Sequence, residues 1–121
     1  MDKKTIGKIG EDFVCRYLEK KGLKIEKRNF TVRGGEIDII ASLHDKLFFV
    51  EVKTREPNPL VCGEAAITRT KKDRIIKTAS VYLRGQGRNY QCRFDVAVVT
   101  FDGKKITDFV YYDNAFDASK K

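Results

Sequence analysis

A chain of 121 residues, 41% hydrophobic and 35% charged, is too short for two independent cores and too apolar to stay disordered, so one globular domain over residues 1–121 is expected. Its apolar runs fall far below the roughly 20 residues that span a bilayer. The N-terminus opens on Met1-Asp2-Lys3-Lys4-Thr5 and not on a secretory apolar core, so the expectation is a cytoplasmic protein with no membrane partner. The formal net charge of +8 suggests a polyanionic partner, although it lies within the range of ordinary small domains.

Residues 5–21 read as a helix, with Ile6, Ile9, Phe13, Val14, Tyr17 and Leu18 recurring at steps of three and four and Gly22 as the stop. Gly7 and Gly10 lie on or beside that stripe and suggest close approach to a neighbour or fraying at the start. Residues 24–29 suit a short edge strand. Residues 36–43 and 46–54 are rich in β-branched and aromatic side chains and flank a turn at His44-Asp45. Residues 56–66 hold Pro57, Asn58, Pro59 and Gly63 and read as a loop. Thr68 is placed to cap a second helix running to Arg84, with Ile75, Ile76, Ala79, Tyr82 and Leu83 as its apolar stripe. Strands over 91–101 and 105–112 follow, joined at Asp102-Gly103, and the tail from about 113 to 121 is expected to be frayed or loosely docked. The order α-β-β-β-α-β-β predicts an α/β fold with a mixed sheet sandwiched by helices, too irregular for a doubly wound parallel one.

Cys15, Cys62 and Cys92 are odd in number and far apart, which argues for reduced thiols and against a disulfide framework or a CxxC site. His44 is the sole histidine, so chemistry needing two histidines, or zinc held mainly by His and Cys, is excluded. Any catalysis here should rest on carboxylates and lysine. Charge is unevenly spread: residues 1–33 carry net +5 and residues 53–93 net +7, while residues 34–52 between them carry net −3.

That acidic island falls on the hairpin. With a two- or four-residue turn, partners sum to 89, so Asp38 faces Glu51 and Glu36 faces Lys53; a three- or five-residue turn would stagger them. Directly opposed like charges are destabilising, and facing carboxylates call for a cation between them or a proton on one. Oxygen-only ligands without histidine favour Mg²⁺ or Mn²⁺. Lys53, on the face of Glu51, could hold an attacking water or stabilise charge on a phosphoryl oxygen. Thr68, Lys71 and Lys72 lie in the first turns of the second helix, where backbone N–H groups favour anions.

Gly7-x-x-Gly10-Glu11-Asp12, Arg28-Asn29-Phe30, Gly35-Glu36-Ile37-Asp38-Ile39-Ile40 and Phe49-Val50-Glu51-Val52-Lys53-Thr54-Arg55 together resemble the YraN family of bacterial proteins, as do Ala66-Ile67-Thr68-x-x-Lys71 and Arg93-Phe94-Asp95-Val96. The resemblance covers about residues 5–115. That family is similar to the PD-(D/E)XK nucleases and, among them, to archaeal-type Holliday junction resolvases. It implies a restriction-endonuclease-like fold. Asp38 and Glu51 are its implied metal ligands, Lys53 the paired lysine and Glu11 the acid of the first helix. The nuclease signature has proline before the aspartate, where Ile37 stands here. The implied activity is a Mg²⁺- or Mn²⁺-dependent endonuclease acting on DNA of branched or damaged structure. Arg28, Arg33, Arg55, Thr68, Lys71 and Lys72 are expected to meet nucleic acid. A four-way-junction substrate would need two active sites and hence a homodimer. The competing readings are a non-catalytic nucleic-acid-binding module with the same fold and a protein-interaction subunit.

Overall fold

The computed structural model describes residues 1–58 and 67–117. Seven elements follow in the expected order: α1 (Lys3–Lys20), β1 (Lys24–Val32), β2 (Gly35–Leu43), β3 (Lys46–Arg55), α2 (Arg69–Arg84), β4 (Gln91–Phe101) and β5 (Ile106–Phe116). The Asp2 carboxylate caps α1 by accepting from Thr5 N at 2.7 Å, and the Thr68 hydroxyl caps α2 by accepting from Lys71 N at 3.2 Å. No helix among the described residues is long and apolar enough to cross a membrane.

The five strands form one mixed sheet in the order β1-β2-β3-β4-β5. Only β3 and β4 run parallel, because α2 carries the chain from one to the other; the remaining neighbours are antiparallel. One face buries Val14, Cys15 and Leu18 of α1 against Ile39, Ala41, Phe48, Val50, Ala97 and Val99. The other buries Ile75 and Ala79 of α2 against Ile37, Ile40, Leu47, Phe49 and Phe94. The result is the α/β sandwich expected of a restriction-endonuclease-like fold.

The hairpin register is the one expected: Leu43 faces Lys46, Ile40 faces Phe49 and Ile39 faces Val50, across a two-residue turn with His44 at φ 56°. The ladder ends there, one step short of Asp38 and Glu51. Glu36 is therefore a ladder partner of Thr31 on β1 and not of Lys53, and Thr31 Oγ1 donates to its Oε1 at 3.2 Å. Strict alternation also fails in β2, since Ile39 packs toward α1 whereas both Ile37 and Ile40 pack toward α2. Asn29, the β1 residue between the partners of Ile37 and Ile39, has φ 51°, a left-handed conformation that asparagine tolerates. The β1–β2 pair thus turns over at Asn29 and Asp38.

Two further differences lie at element ends. β1 continues to Val32 and β5 to Phe116. Residues 113–117 are consequently docked and not frayed: Phe116 stacks on Phe94 with ring centroids 5.1 Å apart, and Asn114 N donates to Asp95 Oδ1 at 2.8 Å. Most of the expected 56–66 loop, Cys62 and the last four residues lie outside the described residues.

Candidate active site

The end of the β2–β3 ladder creates the site. Beyond Ile39 and Val50 the strands diverge, and the Asp38 carboxylate takes the place of a backbone acceptor: Val52 N donates to its Oδ2 at 2.8 Å. Asp38 and Glu51 line one cleft, 9% and 5% exposed, together with Glu36, Thr68, Lys71 and Arg74. Burial, then the neighbouring Glu51 charge, pushes the Asp38 carboxyl up to about 8, with the Val52 N–H acting the other way and Glu11 adding to the rise. Glu51 is met by the Lys71 ammonium, which reaches down from the first turn of α2. For Lys71 burial works against the charge, but the Glu51 hydrogen bond and the charges of Glu51, Asp38 and Glu36 hold the ammonium above its usual value.

Glu11 on α1 faces the same end of the sheet, close enough to Asp38 to act on its charge, and is held from outside by Asn29 Nδ2 at 3.1 Å and Arg28 Nη2 at 3.6 Å. Arg28 is committed to Asp12, 2.8 Å away, so its guanidinium braces α1 against β1. Lys53 is half-buried on β3 and lines, with Glu11, Thr54 and Arg55, a recess beside the cleft. Thr68 serves as the α2 cap. Lys72 turns away from the carboxylates to lie over the Phe116 ring, 5.8 Å from its centroid. Arg33 joins Arg69, Arg74 and Lys77 in a recess on the α2 side that shares Val32 and Gly34 with the cleft. On the opposite side Lys3, Lys4 and Lys8 line a recess that shares Glu36 with the cleft.

Sequence reasoning therefore located the carboxylates and missed much of the basic frame. Lys3, Lys4, Lys8, Arg74 and Lys77 carry no motif. Their signal was the net positive charge of both flanking segments, which names segments and not side chains.

A family model described as "Uncharacterised protein family UPF0102" matches residues 10–99. The chain belongs to the UPF0102 family. Among its relatives, a UPF0102 protein of Dictyoglomus thermophilum is 42% identical over 118 residues, covering 96% of this chain and all of the relative. Another, of Pelotomaculum thermopropionicum, is 40% identical over 116 residues, 94% of this chain and 97% of the relative. A third, of Sulfurihydrogenibium sp., is 41% identical over 119 residues, 96% of this chain and 97% of the relative. This UPF0102 membership agrees with the YraN resemblance, and the matched span contains Glu11, Asp38, Glu51, Lys53 and Lys71.

Proposed function

We propose that this UPF0102 protein is a metal-dependent endonuclease acting in the cytoplasm on DNA, with branched or damaged structures as its preferred substrates. One observation carries the reading. Two carboxylates, Asp38 and Glu51, are buried side by side where the sheet opens, and recesses lined by lysine and arginine continue from the cleft on both sides. Such a pair is costly unless one acid keeps a proton or a cation lies against them, and a divalent ion would relieve both charges at once.

The donor set fits Mg²⁺ or Mn²⁺, being oxygen only and already desolvated. Among the described residues no group of three or more His, Cys, Asp or Glu side chains is placed to hold a metal ion, so beyond Asp38 and Glu51 the ligands would have to be waters or phosphate oxygens. When bound, such an ion supplies Lewis-acid polarisation of the phosphate and a more acidic water. Asp38 and Glu51 would be its ligands. Glu11 supplies negative charge from the side of α1, and Lys53, in the adjoining recess with Glu11, would hold the attacking water or the developing charge. A second reading is favoured by the Lys71–Glu51 ion pair, which already neutralises one acid: a nucleic-acid-binding module that does not cut.

The deciding experiment uses labelled duplex, single-stranded, flap and four-way-junction DNA, covalently closed circles and matched RNA, with Mg²⁺, Mn²⁺ or EDTA. Native protein should open circles in Mg²⁺ or Mn²⁺ only. Lys53→Ala should lower kcat by about 10²–10³ while binding measured in Ca²⁺ changes little, and Glu51→Gln should lose cleavage yet keep or tighten binding. Salt-sensitive binding without cleavage of any substrate selects the binding module. Equal cleavage by native and variant proteins indicates a contaminant and overturns the assignment. A dimer is expected if the four-way junction is the best substrate, since two strands must be cut.

A further inference from the structure

Lys71 is the side chain whose position the metal-site reading does not itself explain. Its backbone is fixed, because Lys71 N donates to the Thr68 hydroxyl at the start of α2. Its ammonium nevertheless lies on Glu51, with Asp38 and Glu36 acting on the same charge. The two partners differ in freedom. Glu51 is 5% exposed on a central strand, whereas the Lys71 side chain is 51% exposed on a flexible four-carbon stem. Arg74, one turn further along α2, lines the same cleft, and the basic α2-side recess begins there.

We propose that Lys71 is an exchangeable counter-ion. In the metal-free protein its ammonium occupies the cation position at Glu51. On binding of a divalent ion and a polynucleotide it swings out to the phosphate lying between the cleft and the α2-side recess. The inference rests on the endonuclease reading and adds to it a positioning residue that couples metal loading to substrate. A half-exposed lysine leaves cheaply, because an ion pair open to water on one side is weak. A divalent ion at a buried carboxylate brings twice the charge and accepts further oxygen ligands. The displaced ammonium enters a recess whose carboxylate, Asp73, is already paired with Arg69, so it lacks a counter-charge until a phosphate arrives. Metal and nucleic acid should therefore bind cooperatively, each favouring the outward lysine.

The test is Lys71→Met, which keeps length and removes charge, compared with native protein, Lys77→Met as a neighbouring-lysine control and Glu51→Gln as a ligand control. All are checked for folding by circular dichroism. Mn²⁺ affinity is measured by electron paramagnetic resonance at pH 8 without nucleic acid, and affinity for a short duplex in Ca²⁺ separately. Lys71→Met should bind Mn²⁺ about five- to tenfold more tightly than native and the duplex several-fold more weakly. Lys77→Met should weaken duplex binding alone. A merely structural lysine would weaken both ligands together, and that result overturns the proposal. Equal Mn²⁺ binding by native protein and Lys71→Met overturns the counter-ion while leaving the metal site intact. Mn²⁺ bound by neither overturns the counter-ion and the endonuclease reading together.

Discussion

Asp38 and Asp95 are both buried carboxylates, and the difference in how they are satisfied separates function from architecture. Asp95 is fully buried and accepts from Arg93 Nε at 2.9 Å and Nη2 at 3.0 Å, from the Tyr111 hydroxyl at 2.5 Å and from Asn114 N at 2.8 Å. Those bonds lock β4 to β5, and burial beside Asp95 drives the Tyr111 phenol well above its usual range. Asp38 accepts one backbone N–H and faces a second acid. Its folded value near 8 stands above the roughly 3.9 of an unfolded aspartate, so the native state takes up a proton that the unfolded chain releases. The stability linked to that proton is present below about pH 4 and is lost as pH rises through 8. Asp38→Asn should then leave stability unchanged near pH 4 and raise it at pH 8 in EDTA. Thermal unfolding at the two pH values checks this. Equal or lower stability of Asp38→Asn at pH 8 would show that Asp38 is satisfied in the native state. Saturating Mn²⁺ should stabilise the native protein and not the variant.

At the scale of elements, α1 approaches β3 closely only because Gly10 has no side chain. A Cβ there would meet Thr54 Oγ1 at 1.8 Å, whereas a Cβ on Gly7 meets nothing within 4 Å. Gly10→Ala should therefore cost about 1–3 kcal/mol through overpacking. Gly7→Ala should gain about 0.5–1 kcal/mol from helix propensity and reduced unfolded-chain entropy. Urea titration of both variants measures the pair, and similar changes would refute the packing account. The sequence marked both glycines and could not tell them apart, because the distinction depends on what β3 presents. Helix ends were legible through Thr68 and Gly22, since caps and left-handed stops are local chemistry. The end of the β2–β3 ladder was not, because there the Asp38 side chain takes the Val52 N–H in place of a backbone carbonyl.

For the molecule as a whole, the cleft and its flanking recesses make a band of positive charge interrupted by the carboxylates. Lys3, Lys4 and Lys8 lie on the α1 side, and Arg33, Arg69, Arg74 and Lys77 on the α2 side. Each phosphate neutralised on duplex DNA contributes about 0.9 to the slope of log K against log salt. Replacing Arg74 and Lys77 together by alanine should flatten that slope by about two units and weaken binding to all sequences alike. Replacing Lys20 and Lys21, at the far end of α1, should leave it unchanged. Equal slopes for native protein and the Arg74/Lys77 variant would remove the α2 side from the binding surface.

The sequence by itself determined the element order, the hairpin register and the neighbourhood of Asp38 and Glu51, although the ladder stops one step before them. Those follow from local periodicity, turn chemistry and the period of two along a strand, all of which act within a few residues. It also located the family, through motifs spread over nearly the whole chain. Only the tertiary structure decided that Glu36 sits with Thr31 instead of Lys53, that Arg28 is occupied with Asp12, and that Lys72 leaves the site for Phe116 while Lys71 enters it. Neighbouring lysines on one helix turn look alike in sequence; a difference of about 100° around the helix axis sends one to a carboxylate and the other to an aromatic ring. That angle has meaning only once the sheet beneath the helix is in place.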